Sequence, residues 1–220
     1  SDGFGKKLEK ATIYNSPQSG MNVALTIDIN IQEAIENELD NVVTKYNPEQ
    51  ALIVVANPKT GEIYGMASRP NFNPNEYTKY NLETINRNLP IFNTYEPGST
   101  FKVITLASSI QEKTINLFED KYYDSGSINV SGSRIKCWKH GGHGSQTFLQ
   151  VVENSCNPGF VIMGEKLGKE KLMDYIKKFG FGEKTGIDLS GEENGILFDI
   201  DKMGPVETAT TAFGQGVSVT

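Results

Sequence analysis

The sequence predicts an α/β fold, and three stretches carry that expectation. Residues 51–68, ALIVVANPKTGEIYGMAS, set two apolar runs around a turn signal of Asn57, Pro58 and Gly61, the form of a β-hairpin. In IQEAIENELDNVVTKY, residues 31–46, Ile31, Ala34, Ile35, Leu39 and Val42 share one helical face. Residues 147–179 then read as three helices, at about 147–154, 158–167 and 169–179, the last two punctuated by Gly168 and Gly180.

The remaining stretches fall between these. Residues 1–21 are polar and irregular, as expected of a linker from a preceding domain. NVALTIDI (22–29) has the composition of a strand, and Asp28 or Asn30 is positioned to cap the helix that follows. Residues 69–95 are rich in Asn, Pro and Tyr and are expected to form a long surface excursion. Pro97 and Gly98 break the chain before a helix in which Phe101, Ile104, Ala107 and Ser108 recur at helical spacing. Residues 120–146, short-patterned and rich in Gly and Ser, are expected to be irregular. No internal repeat is present.

Composition narrows the function. The 220 residues are enough for one sizeable hydrophobic core. The 21 basic residues are dispersed and outnumbered by 27 acidic ones, a net charge of -6, which argues against a nucleic-acid partner. No apolar run approaches the roughly 18 residues that cross a bilayer. The chain opens SDGFG without Met and closes GQGVSVT, so the expectation is a piece of something longer whose targeting segment lies elsewhere.

A nucleophile signal stands in EPGSTFK, which puts Ser99 at a helix start and Lys102 three residues on. Positions i and i+3 lie on one helical face, so the amine can reach the hydroxyl. Serine needs a base to become nucleophilic, and a desolvated lysine can act as one. The helix N-terminus adds partial positive charge where an oxyanion would form. Ser-x-x-Lys alone also describes a capping serine beside a solvated lysine. A second triplet, Ser155-Cys156-Asn157, follows between two predicted helices, and paired Ser-x-x-Lys and Ser-x-Asn motifs mark penicillin-interacting enzymes.

YEPGSTFKVIT, SCNPGF, FGFGEKTGIDLSGE and MGPVETATTAFGQGVSVT together resemble successive landmarks of the transpeptidase domain of class B penicillin-binding proteins. CWKHGGHGSQTF followed by SCNPGF is similar to their sporulation-specific branch. The resemblance implies an α/β penicillin-binding/serine β-lactamase-like fold, a mostly antiparallel sheet flanked by helices, with residues 22–220 as the N-terminal part of the domain. It implies Ser99 as the acylated nucleophile, Lys102 as general base, Ser155 as proton relay and Asn157 as a binder of the substrate amide. The implied reaction is attack on a peptidoglycan stem peptide ending in D-Ala-D-Ala, followed by acyl transfer to an amine, with β-lactam antibiotics acylating the same serine. A cell-wall synthesis partner such as a glycosyltransferase is implied, and so is an anchored position on the outer face of the cytoplasmic membrane, around the forespore in the sporulation branch. The family's K-T-G strand follows the Gly-Gln-Gly segment, so it is expected beyond Thr220, with the last strands of the sheet. EKTG (183–186) and PKTG (58–61) precede that segment and are read as a connecting segment and a hairpin turn. A β-lactamase or D,D-carboxypeptidase would hydrolyse the acyl-enzyme, and a sensor would retain it.

The chain's only two cysteines and two histidines are Cys137, His140, His143 and Cys156. They form a Cys2His2 set able to hold zinc tetrahedrally, with glycines 141, 142 and 144 freeing the loop. A Cys137–Cys156 disulfide and unlinked side chains are the alternatives, and Asp124 is a candidate to replace one ligand. Read as an extended triplet, Ser155 and Asn157 face a cleft and Cys156 faces behind it, so an ion there would brace the catalytic loop. A closed shell of four ligands makes such a metal structural. Trp138 reads as packing, Tyr95 and Glu96 as shapers of the turn before Ser99, and Gly214 and Gly216 as a tight backbone path.

Overall fold

A computed structural model describes residues 18–220. The expected linker therefore lies largely outside the described residues. Helix α1 spans Ile29–Tyr46, and the Asp28 carboxylate caps it by accepting from the amides of Asn30 and Ile31 at 2.9 and 3.2 Å. Strands β1 (Ala51–Ala56) and β2 (Ile63–Arg69) form the predicted antiparallel hairpin. The Asn57 side chain accepts from the Lys59 amide within the turn, and Gly61 there has φ 78°. Ile35 and Leu39 of α1 meet Ala67 of β2, a small core on one face of the hairpin.

NVALTIDI is not a strand. It follows β2 through a backbone bond from Asp28 to Tyr64 and a hydroxyl bond from Thr26 to the Ile63 carbonyl, without a continuous ladder. Most of its apolar side chains stand in solvent, with Val23 at 81% and Leu25 at 75% exposure, while Ile27 is half-buried. The excursion after the hairpin contains a short 3-10 segment at Pro74–Lys79, then α2 (Leu82–Asn86) and α3 (Leu89–Phe92).

The larger lobe is built around α6 (Asn157–Leu167). Helices α4 (Lys102–Gln111), α5 (Phe148–Glu153), α7 (Lys169–Lys178) and α8 (Pro205–Thr211) pack about it. Two glycines allow the close approach. A Cβ on Gly164 would stand 2.5 Å from the Ala212 Cβ, and one on Gly159 would stand 2.4 Å from Val151 Cγ1. One apolar cluster joins Phe148, Val151, Phe160, Val161 and Phe213; another joins Phe101, Ile104, Leu172, Ile176 and Val217.

Residues 120–146 depart from the expected irregular path. They hold β3 (Lys121–Asp124), β4 (Ser127–Val130), β5 (Ser133–Lys136) and β6 (Gly144–Thr147). The pairs are β3 with β6 and β4 with β5, both antiparallel. Four-residue strands are too short to show an alternating pattern in sequence, and Ser127, Ser133, Gly144 and Ser145 lie within them, so turn-forming residues mask the strands. Asp124, at the end of β3, thereby faces Gly144, at the start of β6. No helix among the described residues is long and apolar enough to cross a membrane.

Candidate active site and metal-ligating cluster

Ser99 lies in a 3-10 turn, Gly98–Phe101, that runs directly into α4. The turn is held from behind by the Gly-Gln-Gly segment. The Gly98 amide donates to the Gly214 carbonyl at 2.9 Å, and the Gly216 amide donates to Glu96 Oε1 at 2.8 Å. A Cβ on Gly214, which has φ 81°, would stand 2.2 Å from the Gly98 carbonyl oxygen, so only glycine fits. Glu96 thus fastens two distant segments across the Ser99 turn. The sequence reading limited it to shaping the turn because its partner is 120 residues away.

Lys102 begins α4 and is buried, with 4% exposure. Its ammonium donates to Ser155 Oγ at 2.9 Å, to the Ser155 carbonyl at 2.8 Å and to Asn157 Oδ1 at 2.6 Å. The Phe160 ring lies 5.1 Å from the same nitrogen. Desolvation pulls the amine down to about 8. A lysine so placed exchanges protons near neutrality.

Ser99 Oγ does not receive the lysine directly. Ser99 instead lines, with Lys102, Ser155 and Phe160, a cleft of about 220 Å³. The four residues of the Ser-x-x-Lys and Ser-x-Asn motifs therefore gather at one site, with Ser155 and Asn157 on the lysine and Ser99 at the cleft's exposed lip.

The triplet is not extended. Ser155 has φ 48°, in the left-handed region, while Cys156 is the extended N-cap of α6 and Asn157 its first residue. The turn still separates the side chains as the sequence suggested. Ser155 and Asn157 face Lys102, and Cys156, fully buried, faces Asp124 at 3.4 Å.

Behind the triplet, Asp124, Cys137, His143 and Cys156 each offer one ligand atom, all within 4.8 Å of one another. His143 Nδ1 stands 2.9 Å from Asp124 Oδ2 and 3.3 Å from Cys137 Sγ. A zinc tetrahedron with bonds of about 2.0–2.3 Å has edges of about 3.3–3.8 Å, so this set needs little movement to close on an ion. His140 is outside it. The Lys139–Gly142 turn carries that side chain to the exposed side of the loop, and β3 brings Asp124 into its place.

Asp124 is fully buried, which by itself raises a carboxyl pKa. Hydrogen bonds from Cys137, the Gly126 amide and His143 outweigh that and hold it at about 2. Burial, in contrast, pushes the Cys156 thiol up to about 12. A buried carboxylate, two thiols and an imidazole form a donor set suited to a divalent cation. Both thiols are free in this structure.

A fold of this architecture, with a serine, a desolvated lysine and a Ser-x-Asn turn at one cleft, defines a class, and comparison with known proteins gives the same one. The Penicillin binding protein transpeptidase domain family matches residues 51–220, and the chain belongs to that family. It is 57% identical over 221 residues to Stage V sporulation protein D of Bacillus subtilis (strain 168), covering 100% of this chain and 34% of that protein. It is 29% identical over 219 residues to Peptidoglycan D,D-transpeptidase FtsI of Escherichia coli (strain K12), covering 100% of this chain and 36% of that protein. The chain thus spans about a third of the length of these two relatives. In fold it matches a peptidoglycan glycosyltransferase from Burkholderia ambifaria, with TM-score 0.78 and 23% identity over 90% of this chain and 57% of that one. It also matches the TP domain of Burkholderia pseudomallei penicillin-binding protein 3, with TM-score 0.77 and 22% identity over 92% of this chain and 56% of that one.

Proposed function

We propose that this chain carries the acylation site of a serine D,D-transpeptidase that cross-links peptidoglycan stem peptides in spore cortex synthesis. The observation that carries the reading is Lys102 Nζ, held by Ser155 Oγ and Asn157 Oδ1 at 2.9 and 2.6 Å in the cleft that Ser99 lines. Ser99 Oγ attacks the carbonyl of the penultimate D-Ala, and its proton passes to the neutral Lys102 amine. The C–N bond breaks as a proton returns through Ser155 to the departing D-Ala amine. An amine of a neighbouring stem peptide then attacks the ester and releases Ser99. Asn157 orients the substrate amide. A β-lactam is attacked by the same oxygen, and its opened ring stays on the serine.

On this reading residues 22–220 precede the domain's K-T-G strand, and the whole protein works at the outer face of the cytoplasmic membrane beside a glycosyltransferase. Asp124, Cys137, His143 and Cys156 would hold a structural zinc ion that braces the Ser155–Asn157 turn; four protein ligands leave no position for a reactive water. The test is denaturing mass spectrometry of the whole protein, with its K-T-G strand, after incubation with benzylpenicillin. One adduct mapped to Ser99 and absent from Ser99→Ala is expected, and an adduct elsewhere, or none, overturns the assignment. Native mass spectrometry reads the metal: one zinc per chain, lost in Cys156→Ser, is expected.

A further inference from the structure

Among the described residues four buried side-chain atoms have no hydrogen-bond partner, and two of them, Gln146 Nε2 and His143 Nε2, belong to the loop and strand that build the Asp124 cluster. Buried polar groups are nearly always satisfied, so each orphan calls for a physical reason. Gln146 is the one fully buried residue of β6, at 4% exposure. Its partner across the ladder is Tyr122, and Asp124 stands two residues further along β3, so strand alternation puts Gln146 and Asp124 on the same face. The Cys156 sulfur meets that face. Burial pushes the Cys156 thiol up to about 12, while the Gly159 amide and the Gln146 side chain, facing the sulfur as donors, pull the other way. As a thiol, Cys156 gives its proton to Asp124 Oδ2 at 3.4 Å. A thiol sulfur is a weak acceptor, and Gln146 Nε2 stays without a partner.

The other end of the same amide is engaged. Gln146 Oε1 accepts from Asn154 Nδ2 at 3.1 Å, and Asn154 is the residue before Ser155. The Asn154 carbonyl in turn accepts the Trp138 indole N–H at 2.8 Å, so Asn154 is held by both its side chain and its main chain. One side chain thus lies against Asn154 and Cys156, the two neighbours of Ser155. A methionine of similar length would fill the space without burying an N–H. The amide nitrogen therefore stabilises the site only in a state where the sulfur accepts from it.

We infer that Gln146 is the positioning residue of the metal-loaded turn: its amide N–H donates to the Cys156 sulfur once that sulfur ligates the ion, while its amide oxygen keeps hold of Asn154. The inference rests on the zinc reading proposed above. Ligation exchanges the sulfhydryl proton, released to solvent, for a sulfur–zinc bond, and the ligated thiolate keeps lone pairs that attract an N–H. Gln146 then ties both neighbours of Ser155 to one side chain.

The test measures zinc affinity of the whole protein by competition with a chromophoric chelator, and cobalt(II) in place of zinc reports on the sulfurs through its sulfur-to-metal charge-transfer bands. Gln146→Met should bind zinc about 10–100-fold more weakly. Its cobalt bands should move to longer wavelength, because a thiolate that has lost a hydrogen bond gives up electron density more readily. The metal-free protein supplies the second comparison. The unfolding midpoint of Gln146→Met should fall further below that of the unaltered protein in the zinc-loaded form than in the metal-free form. Asn154→Ala cuts the other end of the bridge and should lower both forms alike, with the cobalt bands in place. Gln146→Asn, one methylene shorter, takes the same measurements if Gln146→Met does not fold, and the same losses are expected of it. Unchanged zinc affinity or unmoved cobalt bands in the Gln146 variant overturn the inference and leave the zinc site standing. Equal lowering of the midpoint in both forms, the mark of a purely structural residue, does the same. An unaltered protein that takes up no zinc sinks the site itself, and this inference with it.

Discussion

The two sides of the Ser155–Asn157 turn are built on opposite principles. On the front, Lys102 is buried yet opens onto a cleft, and desolvation leaves its amine near the pH at which it can trade a proton. On the back, Asp124 and Cys156 are wholly covered, and burial with local hydrogen bonds drives their pKa values far apart, to about 2 and about 12. One side has its proton affinity tuned toward neutrality, and the other gathers four groups that could ligate an ion. A three-residue turn serves both because a left-handed Ser155 lets successive side chains diverge within one helical entry.

Removing the proposed base should have the largest effect. Lys102→Ala is expected to slow acylation by benzylpenicillin by about 10²–10⁴-fold, read by stopped-flow or quench mass spectrometry. A loss below about tenfold would mean that another group takes the Ser99 proton. Breaking the back comes next: Cys156→Ser should abolish zinc loading and lower stability by about 3–5 kcal/mol, read by thermal and urea unfolding. Acylation should fall less than in the lysine variant, because the turn loosens without losing its base. An unchanged unfolding midpoint would separate the cluster from stability.

Smaller effects sharpen the contrast further. Gly164→Ala presses a methyl group against Ala212 and should cost about 1–3 kcal/mol of stability, visible in unfolding curves. The front side should also follow pH. The reactive amine is the neutral form and its value lies at about 8, so the acylation rate should climb as pH rises through about 8 and level off above it. A rate that falls over that range would assign the base role elsewhere. At the small end, His140→Ala should leave zinc content unchanged, whereas His143→Ala should remove it; equal losses would restore His140 to the ligand set.

The small hairpin lobe and the large helical lobe differ in how much the sequence revealed of each. The α1 periodicity, the Asp28 cap and the Asn57–Gly61 turn are local features, so they were legible, as were α6 and α7 with Gly168 between them. The strand expected at 22–29 failed because β propensity requires a paired edge and a buried face, and this segment has neither in continuous form. The four short strands at 121–147 were missed for the converse reason: their pairing is what makes them strands, and four residues carry no period.

The sequence by itself determined the chemistry available: a serine three residues from a lysine, a Ser-x-Asn triplet, and a chain whose every Cys and His falls between residues 137 and 156. These are matters of residue type and short spacing, which helix geometry and ligand preference translate directly. Only the tertiary structure decided which groups meet. It turned Lys102 toward Ser155 and Asn157, set Glu96 against Gly216 across 120 residues, and exchanged His140 for Asp124 in the candidate metal-binding cluster. The physical reason is common to all three. Burial and hydrogen-bond reach depend on how separate segments pack against one another, and no local pattern records that distance.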